Sequence, residues 1–176
     1  SEKEKNDDDE IIVSYCDYGT KWDYQKFKEE VKKYNLDGCI PSYINFHPHM
    51  LGSDNYAIIK ETNKEFIEIQ EKKPFTNNKM NEYASNGTYY FKSGKIVKKY
   101  FKELIDKDIS TNGEYYCSMV YNLMKQDNMK IRVFEIEKML QWGTPKDLNE
   151  YLIWSNYFLK RNHIFNKNFE DKHNTT

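Results

Sequence analysis

The chain has 176 residues, with 27 Lys+Arg against 28 Asp+Glu and a formal net charge of −1. At roughly 100–200 residues per domain this is one compact domain, and the near-neutral balance gives no electrostatic case for binding nucleic acid or another polyanion. Aromatic residues reach 16%, which argues against disorder, and no run of about 18 apolar residues exists to span a membrane.

The opening SEKEKNDDDE carries six acids and two lysines. It reads as a solvated tail over residues 1–10 and lacks the apolar stretch of a secretory signal. Cys16, Cys39 and Cys117 are widely spaced and odd in number, with no C-x-x-C. That is the usage of reduced thiols in a cytoplasmic protein.

Ile11-Ile12-Val13-Ser14-Tyr15 reads as a short buried strand ending in the polar turn Cys16-Asp17-Tyr18-Gly19. Asp23 is placed to cap a helix whose face carries Tyr24, Phe27, Val31 and Tyr34. Cys39 to Tyr43 is the next strand, so residues 11–43 predict a βαβ unit with a parallel sheet. Residues 55–60 and 64–70 predict a hairpin across Glu61-Thr62-Asn63. A strand is expected from Gly87 to Phe91. Ser93 caps a helix with Ile96, Val97, Tyr100, Phe101 and Leu104 on its apolar face. A further helix is expected from near Gly113, then a strand over Met129 to Ile136. Thr144-Pro145-Lys146-Asp147 is a strong helix start. Residues 161–176 read as a polar tail, leaving residues 11–160 as the folded domain.

Five places carry candidate chemistry. Asp17 lies where ligands gather in open α/β sheets, beyond a strand's carboxyl end, and a carboxylate there suits Mg²⁺; it is also an ordinary turn residue. Glu71 and Lys72 follow the hairpin directly. They can meet sugar hydroxyls and a phosphate, or can belong to a solvated charge run. His47 and His49 would face one way in an extended segment, but no third ligand follows at metal spacing. Asn86-Gly87 is either a strand entry or a close backbone approach to a ligand. Gln141 to Pro145 is a good helix start or an anion site.

The stretches VSYCDYGTKWDY, INFHPHMLGSDNYAII, EKKPFTNNKMNEYASNGTYYF, NGEYYCSMVYNLM and QWGTPKDLNEY, taken together and in this order, resemble the sugar-1-phosphate nucleotidyltransferases, in particular a branch associated with capsule and surface polysaccharide synthesis. The resemblance runs from about Ile11 to Tyr157. It implies an α/β, Rossmann-like fold of the GT-A kind with a mixed sheet. It implies transfer of a nucleotidyl group from an NTP to a sugar 1-phosphate, giving NDP-sugar and pyrophosphate, with Mg²⁺ as cofactor. By motif, Asp17 matches the metal-binding catalytic Asp. Glu71 matches the acid on sugar hydroxyls, Lys72 the catalytic lysine facing the sugar phosphate, and Gly87, with its neighbour Asn86, the sugar pocket.

Two departures stand out. The loop before the last helix reads Gln141-Trp142-Gly143-Thr144-Pro145, without the second metal carboxylate of many members. No G-x-G-x-R segment occurs, so the Gly-rich triphosphate loop is not in this sequence. The expected fold is therefore N-terminally incomplete, with an open sheet edge that invites a separate N-terminal chain or a second copy. Fragment, split subunit and inactive remnant all remain open. A non-catalytic sugar-phosphate-binding or regulatory module is the alternative function. A GT-A glycosyltransferase is a third reading, disfavoured because Cys16-Asp17-Tyr18 does not supply Asp-x-Asp.

Overall fold

A computed structural model of the chain describes residues 7–47, 50 and 55–173, with side chains through residue 161. The described strands are β1 (Ile11–Ser14), β2 (Tyr18–Lys21), β3 (Gly38–Tyr43), β4 (Ala57–Thr62), β5 (Glu65–Glu71), β6 (Tyr83–Ser85), β7 (Thr88–Phe91), β8 (Ile131–Glu135) and β9 (Lys138–Gln141). The described α-helices are α1 (Tyr24–Tyr34), α2 (Gly94–Asp106), α3 (Val120–Gln126) and α4 (Pro145–His173).

Seven strands form a mixed sheet in the order β1-β7-β3-β6-β4-β5-β8, with β8 also alongside β3; β2 and β9 make a separate two-stranded sheet. β3 is the centre. All six of its residues are buried. One edge of β3 is shared by β7 at Gly38–Cys39 and by β6 at Ser42–Tyr43, and the other pairs in parallel with β8. The buried run GCIPSY fits a strand covered on both faces, where alternation is lost.

The predicted βαβ unit needs a correction. β1 and β3 do run the same way, since both are antiparallel to β7, but β7 lies between them. The four buried residues of β7, TYYF, come from far along the chain and hydrogen-bond both neighbours. Asp17 therefore does not follow a strand embedded in a parallel sheet. It lies past the end of β1, whose described partner is the antiparallel β7. The expected polar turn is also shorter, because Tyr18–Lys21 is strand β2.

The hairpin of β4 and β5 turns at Asn63-Lys64, not at Glu61-Thr62-Asn63. Both turn residues have positive φ, 52° and 66°, the backbone that matches strand twist in two-residue hairpins. Lys64 is an unusual residue there; the Glu61 carboxylate accepts from its backbone N–H. The helix expected from near Gly113 begins later, as a 3₁₀ turn at Cys117–Met119 leading into α3. Asn112 and Gly113 instead make a tight turn with φ 53° and 77°, closed by hydrogen bonds between Thr111 and Glu114. Asn-Gly is a turn signal, and it overrides the apolar spacing after it.

The helix starts are as read. The Asp23 carboxylate accepts from Lys26 N at 2.9 Å, the Ser93 hydroxyl from Ile96 N, and the Thr144 hydroxyl from Asp147 N at 3.1 Å. The acidic opening segment is not wholly a free tail. The carbonyls of Asp9 and Asp7 accept from Gly94 N and Lys95 N, and Asp8 pairs with Lys95 at 2.7 Å. Residues 7–10 thus satisfy the first orphan N–H groups of α2, whose dipole favours acids.

The core is aromatic, as the composition predicts. Tyr121 on α3 is fully buried among Phe66, Tyr89 and Phe91, with ring centroids 5.1–6.1 Å away. Its hydroxyl donates to the carbonyl of Tyr90 at 2.7 Å. Gly38 on β3 lies so close that a Cβ there would meet the Tyr121 ring at 2.8 Å.

By backbone contacts the chain divides into two compact units, Ser1–Cys16 with Thr20–Met139, and Asp17–Gly19 with Leu140–Thr176. The second joins segments more than a hundred residues apart in sequence, so composition gives no sign of it. No described helix is long and apolar enough to cross a membrane.

Candidate functional site

In the first unit, β5 ends on Glu71 and the chain turns sharply at Lys72, whose φ of 55° is left-handed. Lys72 N donates to the carbonyl of Tyr56 at 3.1 Å, which fixes the turn. A non-glycine residue held in this conformation stores strain, and such positions cluster at functional sites. The turn sends the two side chains to different partners. The Ser118 hydroxyl donates to the Glu71 carboxylate. The Lys72 ammonium donates to Tyr116 Oη at 2.6 Å and lies 3.8 Å from Glu114. The Tyr116 hydroxyl in turn donates to Glu114. Sequence reading singled out Glu71 and Lys72 but missed Glu114, Tyr116 and Ser118. The signal for them was the Asn112-Gly113 turn, which delivers this segment.

Glu71 is half-buried, and burial raises its carboxyl above the ordinary value of 4.5, opposed by the Ser118 hydroxyl and the Lys72 ammonium. The raised value means the folded state holds its proton more tightly than the unfolded chain. The ionised carboxylate therefore costs stability as pH rises from the ordinary Glu range through the raised value. Glu71→Gln keeps an acceptor for Ser118 and removes that cost. The variant is expected to melt at or above the wild type at neutral pH, with the gap closing on acidification. Melting temperatures from about pH 4 to about pH 8 check this; a gap that widens toward acid would contradict it. The Lys72 amine is held above its usual value, chiefly by the Tyr116 hydroxyl, so it is a cation at neutral pH.

Asn86 and Gly87 interrupt one extended segment that runs along β3 as β6 and β7. Gly87 has φ 89°, a conformation that glycine adopts freely. Asn86 is 1% exposed, and both ends of its amide are hydrogen-bonded. Nδ2 donates to the Thr20 hydroxyl at 2.9 Å, Oδ1 accepts from Thr88 N at 3.0 Å, and its backbone N–H donates to Pro41 at 3.2 Å. Gly87 N donates to the Ser85 hydroxyl, which itself donates to Tyr89 Oη. Asn86 thus braces a break between two strands, the kind of irregularity that re-aims a chain beside a site.

In the second unit, exposed Asp17 lies against the loop before α4. Its carbonyl accepts from Trp142 N at 3.3 Å, and its carboxylate would be 3.0 Å from a Cβ on Gly143. A Cβ on Gly19 would meet the Trp142 ring at 2.7 Å. Two glycines therefore let the carboxylate and the indole close on the backbone. Gln141 Nε2 donates to Asp147 at 3.1 Å, leaving its buried amide oxygen without a hydrogen-bond partner. One carboxylate and one orphan amide oxygen are hard donors of the type Mg²⁺ takes, but they bring a single charge. Among the described residues no three His, Cys, Asp or Glu side chains group as a metal cage. His47 is buried with its ring 4.5 Å from that of Tyr43, and burial lowers its pKa; His49 lies outside the described residues.

No family model matches the sequence, and no curated protein matches it. Solved structures do. A nucleoside-diphosphate-sugar pyrophosphorylase from Vibrio cholerae RC9 superposes with a TM-score of 0.60 at 19% identity, over 81% of this chain and 55% of that one. A candidate glucose-1-phosphate thymidylyltransferase from Bacillus anthracis, solved with a sucrose, gives 0.58 at 18%, over 81% and 53%. The chain thus shares the mixed α/β fold of these two structures and spans about half their length.

Proposed function

We propose that the chain serves nucleotidyl transfer from an NTP to a sugar 1-phosphate, in nucleotide-sugar supply for polysaccharide synthesis. Within the first unit, Glu71 accepts sugar hydroxyls, Lys72 takes the sugar phosphate, and Asn86 with Gly87 shapes the sugar side. Within the second unit, Asp17 is the Mg²⁺ carboxylate, supplemented by the Gln141 amide oxygen. Bound Mg²⁺ supplies charge neutralisation on the phosphates; the chain's residues supply positioning. The observation that carries this reading is the strained Glu71-Lys72 turn, set in a fold shared with two structures bearing nucleotidyl-transfer names. An incoming phosphate competes with Glu114 for the Lys72 ammonium.

A second reading is favoured by the single-charge donor set around Asp17: a module that binds sugar phosphate without transferring nucleotide. Calorimetric titration with sugar 1-phosphates, beside a pyrophosphate-release assay with NTPs and Mg²⁺, separates the two. Sustained release supports transfer, and binding without release supports the module. Failure to bind any sugar 1-phosphate sinks both. Lys72→Ala is expected to weaken sugar 1-phosphate binding about ten- to hundredfold, the usual weight of a charge-assisted hydrogen bond, while leaving the melting temperature near wild type.

A further inference from the structure

Residues 113–119, GEYYCSM, lead from the Asn112-Gly113 turn into α3, and three alternate side chains reach the end of β5. The Ser118 hydroxyl holds Glu71, while Tyr116 and Glu114 hold Lys72. Tyr115, between them in sequence, donates instead to Asp108 at 2.7 Å. An extended backbone sorts its side chains in this way, and Tyr116 has a φ of −108° and a ψ of 136°. The Lys72 ammonium and the Tyr116 hydroxyl converge on one oxygen, Oε2 of Glu114. Nζ lies 3.8 Å from it, and the hydroxyl donates to it. Two donors aimed at one anionic oxygen are also what a phosphate oxygen requires. Glu114 is the replaceable member of the three. Its side chain is 66% exposed, and an exposed ion pair contributes little to stability.

We infer that Tyr116 is a second phosphate-binding residue beside Lys72, and that Glu114 is a built-in competitor that holds the place of the phosphate. The inference rests on the reading of Lys72 as the partner of the sugar phosphate. When a sugar 1-phosphate arrives, the Tyr116 hydroxyl turns its proton from Glu114 to a phosphate oxygen. Lys72 keeps one N–H on Tyr116 Oη, 2.6 Å away, and offers another to the phosphate. The Glu114 carboxylate moves into water. The Tyr116 ring, its centroid 5.0 Å from the ammonium, keeps Lys72 in place during the exchange. The exchange favours the ligand because a phosphate monoester carries about −1.5 to −2 at neutral pH, against −1 for a carboxylate.

Calorimetric titration with a panel of sugar 1-phosphates and with inorganic phosphate is the test. Tyr116→Phe keeps the ring and removes the hydroxyl. It is expected to melt near wild type and to bind the sugar 1-phosphate about tenfold more weakly. Glu114→Gln, at an exposed position, is expected to bind both probes about two- to fivefold more tightly. That gain should shrink in the Tyr116→Phe background, where the hydroxyl that orders Glu114 is gone. Binding of phosphate by Glu114→Gln alone would support the competitor in its strongest form. Wild-type binding that both substitutions leave unchanged would overturn this inference and leave the Lys72 reading standing. Weaker binding in Glu114→Gln would also overturn it, since the carboxylate would then assist the ligand. No binding of either probe by wild type or by Glu114→Gln would overturn both.

Discussion

On the proposed transfer reading, replacing Asp17 by Asn is expected to abolish Mg²⁺-dependent pyrophosphate release and to lower Mn²⁺ affinity, read by the spin signal of the free ion. The substitution keeps the shape and removes the one carboxylate of the donor set. Its surroundings should tolerate the change. The side chain is exposed, and the loop contact it makes through its backbone carbonyl to Trp142 N is untouched. An amide oxygen is a much poorer Mg²⁺ ligand than a carboxylate. Near-normal release and Mn²⁺ binding in Asp17→Asn would remove Asp17 from the metal site. Gln141→Asp is the informative companion, since restoring a second charge should tighten Mn²⁺ binding.

Tyr121→Ala is expected to destabilise the first unit by about 3–5 kcal/mol, the range for deleting a buried aromatic ring. Tyr121 is fully buried, and its ring meets Phe66, Tyr89 and Phe91. Its hydroxyl also serves the Tyr90 carbonyl on β7, the strand that joins β1 to β3. Tyr121→Phe isolates that bond and should cost about 1 kcal/mol, leaving the ring in place. Urea unfolding at constant slope gives both values. A Tyr121→Ala midpoint within experimental error of wild type would mean that the cluster collapses around the gap, which the tight contact at Gly38 makes hard.

Residue patterns local in sequence determined much of this protein. The caps at Asp23, Ser93 and Thr144 are read from single residues, because a helix start is satisfied by one nearby side chain. The aromatic core follows from composition, and the Glu71-Lys72 pair at a strand end follows from the hairpin pattern before it. The fold class was legible through five motifs in order, and the superpositions agree with it at 19% and 18% identity.

Other features were decided only in three dimensions. β7 separates β1 from β3 because its buried TYYF run can hydrogen-bond both, a choice between partners that no local spacing encodes. The strained φ of Lys72 depends on a hydrogen bond to Tyr56, and the partners of its ammonium arrive from more than forty residues away. The amide of Asn86 bonds to Thr20 and Thr88, partners visible only once those segments meet. Asp17 looked like the end of a parallel strand, and its actual neighbours are the backbone of Gly143 and Trp142. Sequence fixes what a residue can offer a few positions away, whereas long-range pairing, set by burial and hydrogen-bond satisfaction over the whole chain, decides what it meets.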